Sequence, residues 1–108
     1  MNVLFRPQFW LDLEDGVAYL TEKASRETAK HWHDEVMATV ARVEKQPDIG
    51  RARRDLKPAG IRSLVLRRCS RYLLFYGWEA YAVEVLRIKH GMMDLPSLFR
   101  SENRPPAE

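Results

Sequence analysis

Between Ile61 and His90 the chain reads as three apolar runs separated by two short breaks. Leu64–Leu66, Tyr72–Tyr76 and Ala82–Ile88 are dense in β-branched, aromatic and aliphatic residues, which favour strands. The breaks, Arg68–Arg71 and Gly77–Ala80, are short enough for hairpin connections, so the stretch predicts a meander of three antiparallel strands. In the middle run Tyr72, Leu74 and Tyr76 alternate with Leu73 and Phe75, so that strand is apolar on both faces and needs cover on both.

Upstream the apolar period changes from two to 3.6. Trp10, Leu13, Val17, Leu20 and Ala24 form one stripe of a helix from about Gln8 to Lys23, with Asp12, Glu14, Asp15 and Glu22 on its other faces. The aromatic pair Phe9-Trp10 reads as core packing. Gly16 costs a helix about 1 kcal/mol and suits a point of close approach. Ser25 is a good N-cap for a second helix, whose stripe is Ala29, Trp32, Val36, Val40 and Val43 and which Pro47 ends. The short break between them predicts an antiparallel helical hairpin. Asn2–Arg6, held extended by Pro7, is a candidate first strand.

The expected fold class is therefore α+β: an N-terminal strand, then an antiparallel helical hairpin packed on one face of an antiparallel sheet that ends in the three-stranded meander. Little chain remains to cover the second face, which is expected to be an exposed apolar docking surface.

Length and composition fit this picture. A chain of 108 residues supports one core, expected over residues 1–99, with a polar, flexible tail over 100–108 containing Pro105-Pro106. Leu95, Leu98 and Phe99 suit one helical turn packing back on the sheet. No apolar run approaches the ~20 residues that span a bilayer, and the N-terminus lacks a signal-peptide core, so no membrane partner and a cytoplasmic location are expected. The single Cys69 excludes an internal disulfide and a multi-cysteine zinc site. His31 and His33 are two apart and diverge on a helix, whereas helical zinc sites use i, i+4 pairs; no metal and no cofactor are expected.

The formal net charge of +3 hides an asymmetry. Arg51, Arg53, Arg54, Lys57, Arg62, Arg67, Arg68 and Arg71 are eight cations within 21 residues, opposed only by Asp55, so that segment carries +7. The remaining 10 cations and 14 carboxylates balance to −4. Seven arginines to one lysine favour recognition of an anionic partner, because guanidinium makes planar, multidentate contacts. A plain nucleic-acid-binding module is one such reading, although glycine-aromatic RNA-binding signatures are absent.

Five motifs occur in order: Phe5-x-Pro7, Pro47-x-x-Gly50-Arg51, the Gly60 to Ser63 entry (GIRS), the Arg71 to Tyr76 strand (RYLLFY), and the Val85 to Leu95 ending (VLRIKHGMMDL). In these the chain resembles the RelE/ParE superfamily, the toxins of bacterial type II toxin–antitoxin pairs, over nearly its whole length to Phe99. RelE-like members cut mRNA on the ribosome; ParE-like members poison DNA gyrase. The ribonucleases carry basic side chains on the middle strands and near the C-terminus, positions that fall here on Leu64, Leu66, Leu73, Gly91 and Ser97, none of them basic. The resemblance thus implies the ParE-like branch: a gyrase inhibitor, not an enzyme. It would be neutralised by a ParD-like antitoxin with a ribbon-helix-helix DNA-binding domain and an acidic or amphipathic toxin-binding segment. Operator DNA would be met only through that antitoxin. The implied antitoxin- and target-binding residues are Arg51, Arg53, Arg54, Arg62, Arg67, Arg71, Tyr72, Arg87 and His90. The alternative, a RelE-like mRNA endonuclease, would use Arg62, Arg87 and His90 as its catalytic set, with His90 as the acid or base.

Overall fold

Asp12 and Phe9 set how the first helix sits, and the rest of the fold follows from it. The computed structural model describes residues 2–69 and 71–91. Strand β1 (Asn2–Phe5) leads into α1 (Pro7–Lys23) and α2 (Arg26–Lys45), then β2 (Arg51–Ala52), β3 (Ile61–Val65), β4 (Tyr72–Glu79) and β5 (Ala82–His90). Both helices pack on one face of a five-stranded sheet of order β1-β5-β4-β3-β2. The pairings of β2 to β5 are antiparallel, as the meander predicts, and β1 joins the far edge parallel to β5.

Pro7 starts α1 where its missing N–H costs nothing, and Ser25 caps α2 by accepting a bond from the Thr28 amide at 3.0 Å. The α2 stripe of Ala29, Trp32, Val36, Val40 and Val43 is buried as its spacing predicts. The α1 stripe is rotated from expectation. Phe9 takes the core position, while Trp10 stays 45% exposed and lays its ring against Phe5 and Phe9 at centroid distances of 4.8 and 5.0 Å. Ala24, the C-cap residue, is also exposed. Gly16 faces the ring of Trp32 so closely that a Cβ there would overlap it, which explains a glycine in mid-helix.

The main core joins Phe9, Leu13, Trp32, Val36, Val40 and Val43 to Leu66, Leu74, Tyr76, Val83, Val85 and Ile88 of the sheet region. Tyr76 is wholly buried, yet its hydroxyl is satisfied: it donates to the Pro47 carbonyl at 2.7 Å and accepts from the Gly50 amide at 2.9 Å. That pair of bonds fixes the turn leading into β2.

The second face of the sheet departs from expectation. Phe75, Ile61, Leu86 and Leu73 do point there, as the alternation requires, but the segment between β2 and β3 folds back across them. Leu56, in the middle of a run that reads as a solvated linker, is only 2% exposed and closes a second, small apolar cluster. One leucine in a basic, Gly- and Pro-containing segment has no periodicity to announce it. β4 also runs longer than its apolar core suggests: Gly77, Trp78 and Glu79 stay in the ladder, and the turn falls at Ala80-Tyr81. The expected helical turn at Leu95–Phe99 and the tail over 100–108 lie outside the described residues.

Candidate functional site

Cations gather at two opposite sides of the sheet, Arg87 and Lys89 at one and the arginine cluster at the other. At one side β1 pairs with β5 only through Phe5, opposite Val85, and the chain then turns into α1. The remaining edge of β5 would be left with open backbone groups. Asp12, one turn into α1, fills that gap. Its buried carboxylate accepts from the Ile88 amide at 3.2 Å, from Arg87 Nε at 2.6 Å and Nη2 at 2.9 Å, and pairs with Lys89 Nζ at 2.9 Å. A register shift places Arg87 opposite Phe75 but Val85 opposite Tyr76, so Leu86 is the extra residue; this irregularity directs the Arg87 side chain to the strand edge. Arg87 is 8% exposed and Asp12 5%. Asp12 is thus a core residue, not part of the solvated helix face that α1 periodicity assigns it, and it is the partner of Arg87. The corrected stripe of Phe9, Leu13, Gly16 and Leu20 brackets Asp12, which is the signal that could have found it.

At the opposite side the arginines have two fates. Arg53 forks onto Asp55, Nε to Oδ1 at 2.9 Å and Nη2 to Oδ2 at 2.7 Å, donates to Ser63 Oγ at 3.2 Å, and lies over the Phe75 ring at 5.7 Å. These bonds hold the Asp55 carboxyl down to about 2. Arg62 donates to the Gly50 carbonyl at 2.8 Å and lies over the Trp78 ring at 5.8 Å. Both arginines shape the β2–β3 region. Arg51, Arg54, Arg67, Arg68 and Arg71 are exposed instead, and none of their side chains is in an ion pair among the described residues.

Tyr72 and His90 face each other across β4 and β5, their rings edge-on at 5.4 Å, and Tyr72 also meets Trp32 at 5.3 Å. Burial pushes the Tyr72 hydroxyl up from its ordinary value, with Tyr19 and Cys69 adding to it. Burial likewise raises the Cys69 thiol, with the Glu35 carboxylate adding to it. Arg62, Arg87 and His90 are not brought together. Arg62 pairs opposite Tyr76 and His90 opposite Tyr72, four residues or roughly 13 Å apart along β4, on different neighbouring strands, while Arg87 is turned to Asp12. Register also settles which β3 residues share a face with Leu73: these are Val65 and Ser63, whereas Leu64 and Leu66 pack beneath the helices.

The exposed large apolar residues lie elsewhere. Leu4 of β1, Trp10, Leu11 and Tyr19 of α1, and Trp78 and Tyr81 at the β4–β5 hairpin are exposed; on the β2–β3 side Val65 alone is among the described residues. A groove of about 350 Å³ opens on the second sheet face, lined by Leu4, Ile61, Gly77 and Leu86 among others.

Helices on a mixed sheet, with a basic side and an apolar side, define an α+β domain of the toxin type that the motifs suggest. The family model described as the ParE toxin of the type II toxin–antitoxin system parDE matches residues 3–95, and the chain belongs to that family. Among solved structures, the chromosomal ParDE toxin–antitoxin system from P. aeruginosa matches with a TM-score of 0.70 at 19% identity, covering 83% of this chain and 95% of that one. The YoeB dimer from Staphylococcus aureus matches with a TM-score of 0.57 at 15% identity, over the same 83% and 95%. No curated protein sequence matches the chain. The protein is therefore a toxin of a type II toxin–antitoxin system, with two helices packed on a five-stranded mixed sheet. No helix among the described residues is long and apolar enough to cross a membrane.

Proposed function

We propose that this toxin inhibits DNA gyrase and is neutralised by direct binding of its cognate antitoxin. The observation that carries this reading is the dispersal of the residues an mRNA endonuclease would need. Cleavage at a 2′-hydroxyl requires cations on the developing charge and a proton-transfer group within hydrogen-bond reach of one reacting site. Here Arg87 is consumed by Asp12, Arg62 by the Gly50 carbonyl, and His90 lies beside Tyr72 at the other end of the strands. The sheet face that presents Leu73 is covered by Phe75, Ile61, Leu86 and Leu56, and Arg53, which lies over Phe75, is forked onto Asp55.

In this reading the toxin works by docking, not by bond cleavage. The exposed arginines, Arg51, Arg54, Arg67 and Arg71, form its target side. The apolar residues on α1 and β1, with the groove beside Leu4, receive an amphipathic segment of a ParD-like antitoxin. Operator DNA is then contacted by the antitoxin's own ribbon-helix-helix domain.

Two parallel reactions test the proposal. Purified toxin is added to gyrase with relaxed plasmid, scored for lost supercoiling and trapped cleaved DNA, and to a reconstituted translation mixture, scored for cut message. Trapped gyrase with intact message is the expected result. Cut message with active gyrase would overturn it.

A further inference from the structure

The basic side of the molecule is a row, and its order follows from the strand register. Arg53 donates its amide to the Ile61 carbonyl at 2.8 Å, so Arg53 and its neighbour Arg54 lie at the start of β3. Arg51 pairs with Ser63 in the middle of that strand. Arg67, Arg68 and Arg71 follow past its end at Val65, in the connection to β4. At about 3.3 Å per residue these backbone positions are spread along roughly 20 Å of β3 and the turn beyond it. The Glu35 carboxylate of α2 accepts from the Arg67 amide at 3.1 Å, and Arg68 borders the cavity that Asp34 and Glu35 also line. Arg53 and Arg62, bonded inward, brace the row without belonging to its outer surface.

We infer that this edge binds the phosphate backbone of duplex DNA. The inference deepens the gyrase reading and rests on it for its setting, since supercoiling obliges gyrase to hold a duplex. Three observations favour a phosphate backbone over an acidic protein segment or a single strand. First, the row carries almost no apolar anchor: of the exposed large apolar residues among those described only Val65 lies on it, whereas protein interfaces draw most of their binding energy from buried aromatic and aliphatic anchors. Second, the positions are spread along the strand, with Arg53 and Arg54 at Ile61, Arg51 opposite Ser63 and Arg67 past Val65, which suits a series of phosphates better than one carboxylate cluster. Third, among the described residues no exposed aromatic ring interleaves with Arg51, Arg54, Arg67, Arg68 or Arg71, and single-stranded nucleic acid needs such rings as stacking platforms. A contact to the phosphate backbone is independent of sequence.

The measurement is fluorescence anisotropy of a labelled, random-sequence duplex titrated with the intact toxin, without gyrase or antitoxin, at several salt concentrations. Five phosphate contacts predict a log–log salt slope of about −4.5. The double variants Arg51→Gln/Arg54→Gln and Arg67→Gln/Arg68→Gln should each reduce the magnitude of that slope by about 2, with unchanged circular dichroism. Absence of salt-dependent binding, or slopes that neither variant changes, would overturn the inference. So would tighter binding of polyglutamate or of single-stranded RNA than of the duplex. Because gyrase is absent from this measurement, its failure is separate from failure of the gyrase reading, which the supercoiling reaction tests.

Discussion

Arginine has opposite fates at the two sides of this sheet. At the β5 edge, Arg87 is buried and joined with Lys89 to one carboxylate, Asp12, which also satisfies the Ile88 amide. At the β2–β3 edge, five arginines are exposed with no side-chain ion pair among the described residues, while Arg53 forks onto Asp55 and Glu35 of α2 reaches only the Arg67 backbone amide. The difference does not lie in the arginines. It lies in whether another element delivers an acid to them, and α1 delivers Asp12 from 75 residues away in sequence. A cation with such a partner becomes part of the architecture; one without it remains available to another molecule.

The largest test of that contrast is Asp12→Ala. It leaves Arg87 buried without its carboxylate and opens the Ile88 amide, so denaturant unfolding should show a loss of about 3–5 kcal/mol. Pairing Asp12→Leu with Arg87→Leu removes both charges together and should recover much of it; no recovery would mean that the Ile88 amide bond carries most of the effect.

Next comes Tyr76→Phe, which strips the acceptor from the Gly50 amide and the donor from the Pro47 carbonyl without altering the core ring. The expected cost is about 1–3 kcal/mol, and hydrogen exchange should accelerate at Gly50 and in β2 ahead of β5. Gly16→Ala should cost about 1–3 kcal/mol from overlap with the Trp32 ring, which outweighs the ~1 kcal/mol that alanine offers a helix; a stabilised variant would show that Trp32 can move aside.

A smaller effect concerns Asp55. Its carboxyl is held near 2 in the folded protein, against an unfolded value of about 3.9, so its contribution is present above the unfolded value and is lost as pH falls toward 2. Because the pair is at the surface, screening limits it to within about 1 kcal/mol, and Asp55→Asn should flatten that portion of the stability–pH curve. The smallest effect is Arg54→Gln, expected within about 0.5 kcal/mol of the parent, since its side chain is exposed. A large loss there would erase the distinction between the two sides.

Much of this was legible in one dimension. The α2 stripe, the Ser25 cap and the two-sided apolar alternation of β4 all follow from local periodicity and propensity, because each depends on residues a few positions apart. Gly16 marks a point of close approach, but only the fold shows that the neighbour is Trp32. The family motifs lie on these same elements. Trp10 was misplaced because two adjacent aromatics fit almost the same stripe, and only packing against Phe5 and Trp32 decides which enters. Leu56 was hidden because a single buried leucine has no period.

The candidate site was less legible than the fold. Sequence alone determined where positive charge is concentrated, that the chain forms helices on a sheet, and that the middle strand needs cover on both faces. Only the tertiary structure decided that β1 joins in parallel and stops short, that Asp12 closes the edge it leaves and takes Arg87 and Lys89 with it, and that Arg53 and Arg62 turn inward while their neighbours stay out. The physical reason is that helix and strand periods are written in neighbouring residues. The fate of a charge depends on the counter-charge and the solvent around it, which chain segments far apart in sequence supply only once they are folded together.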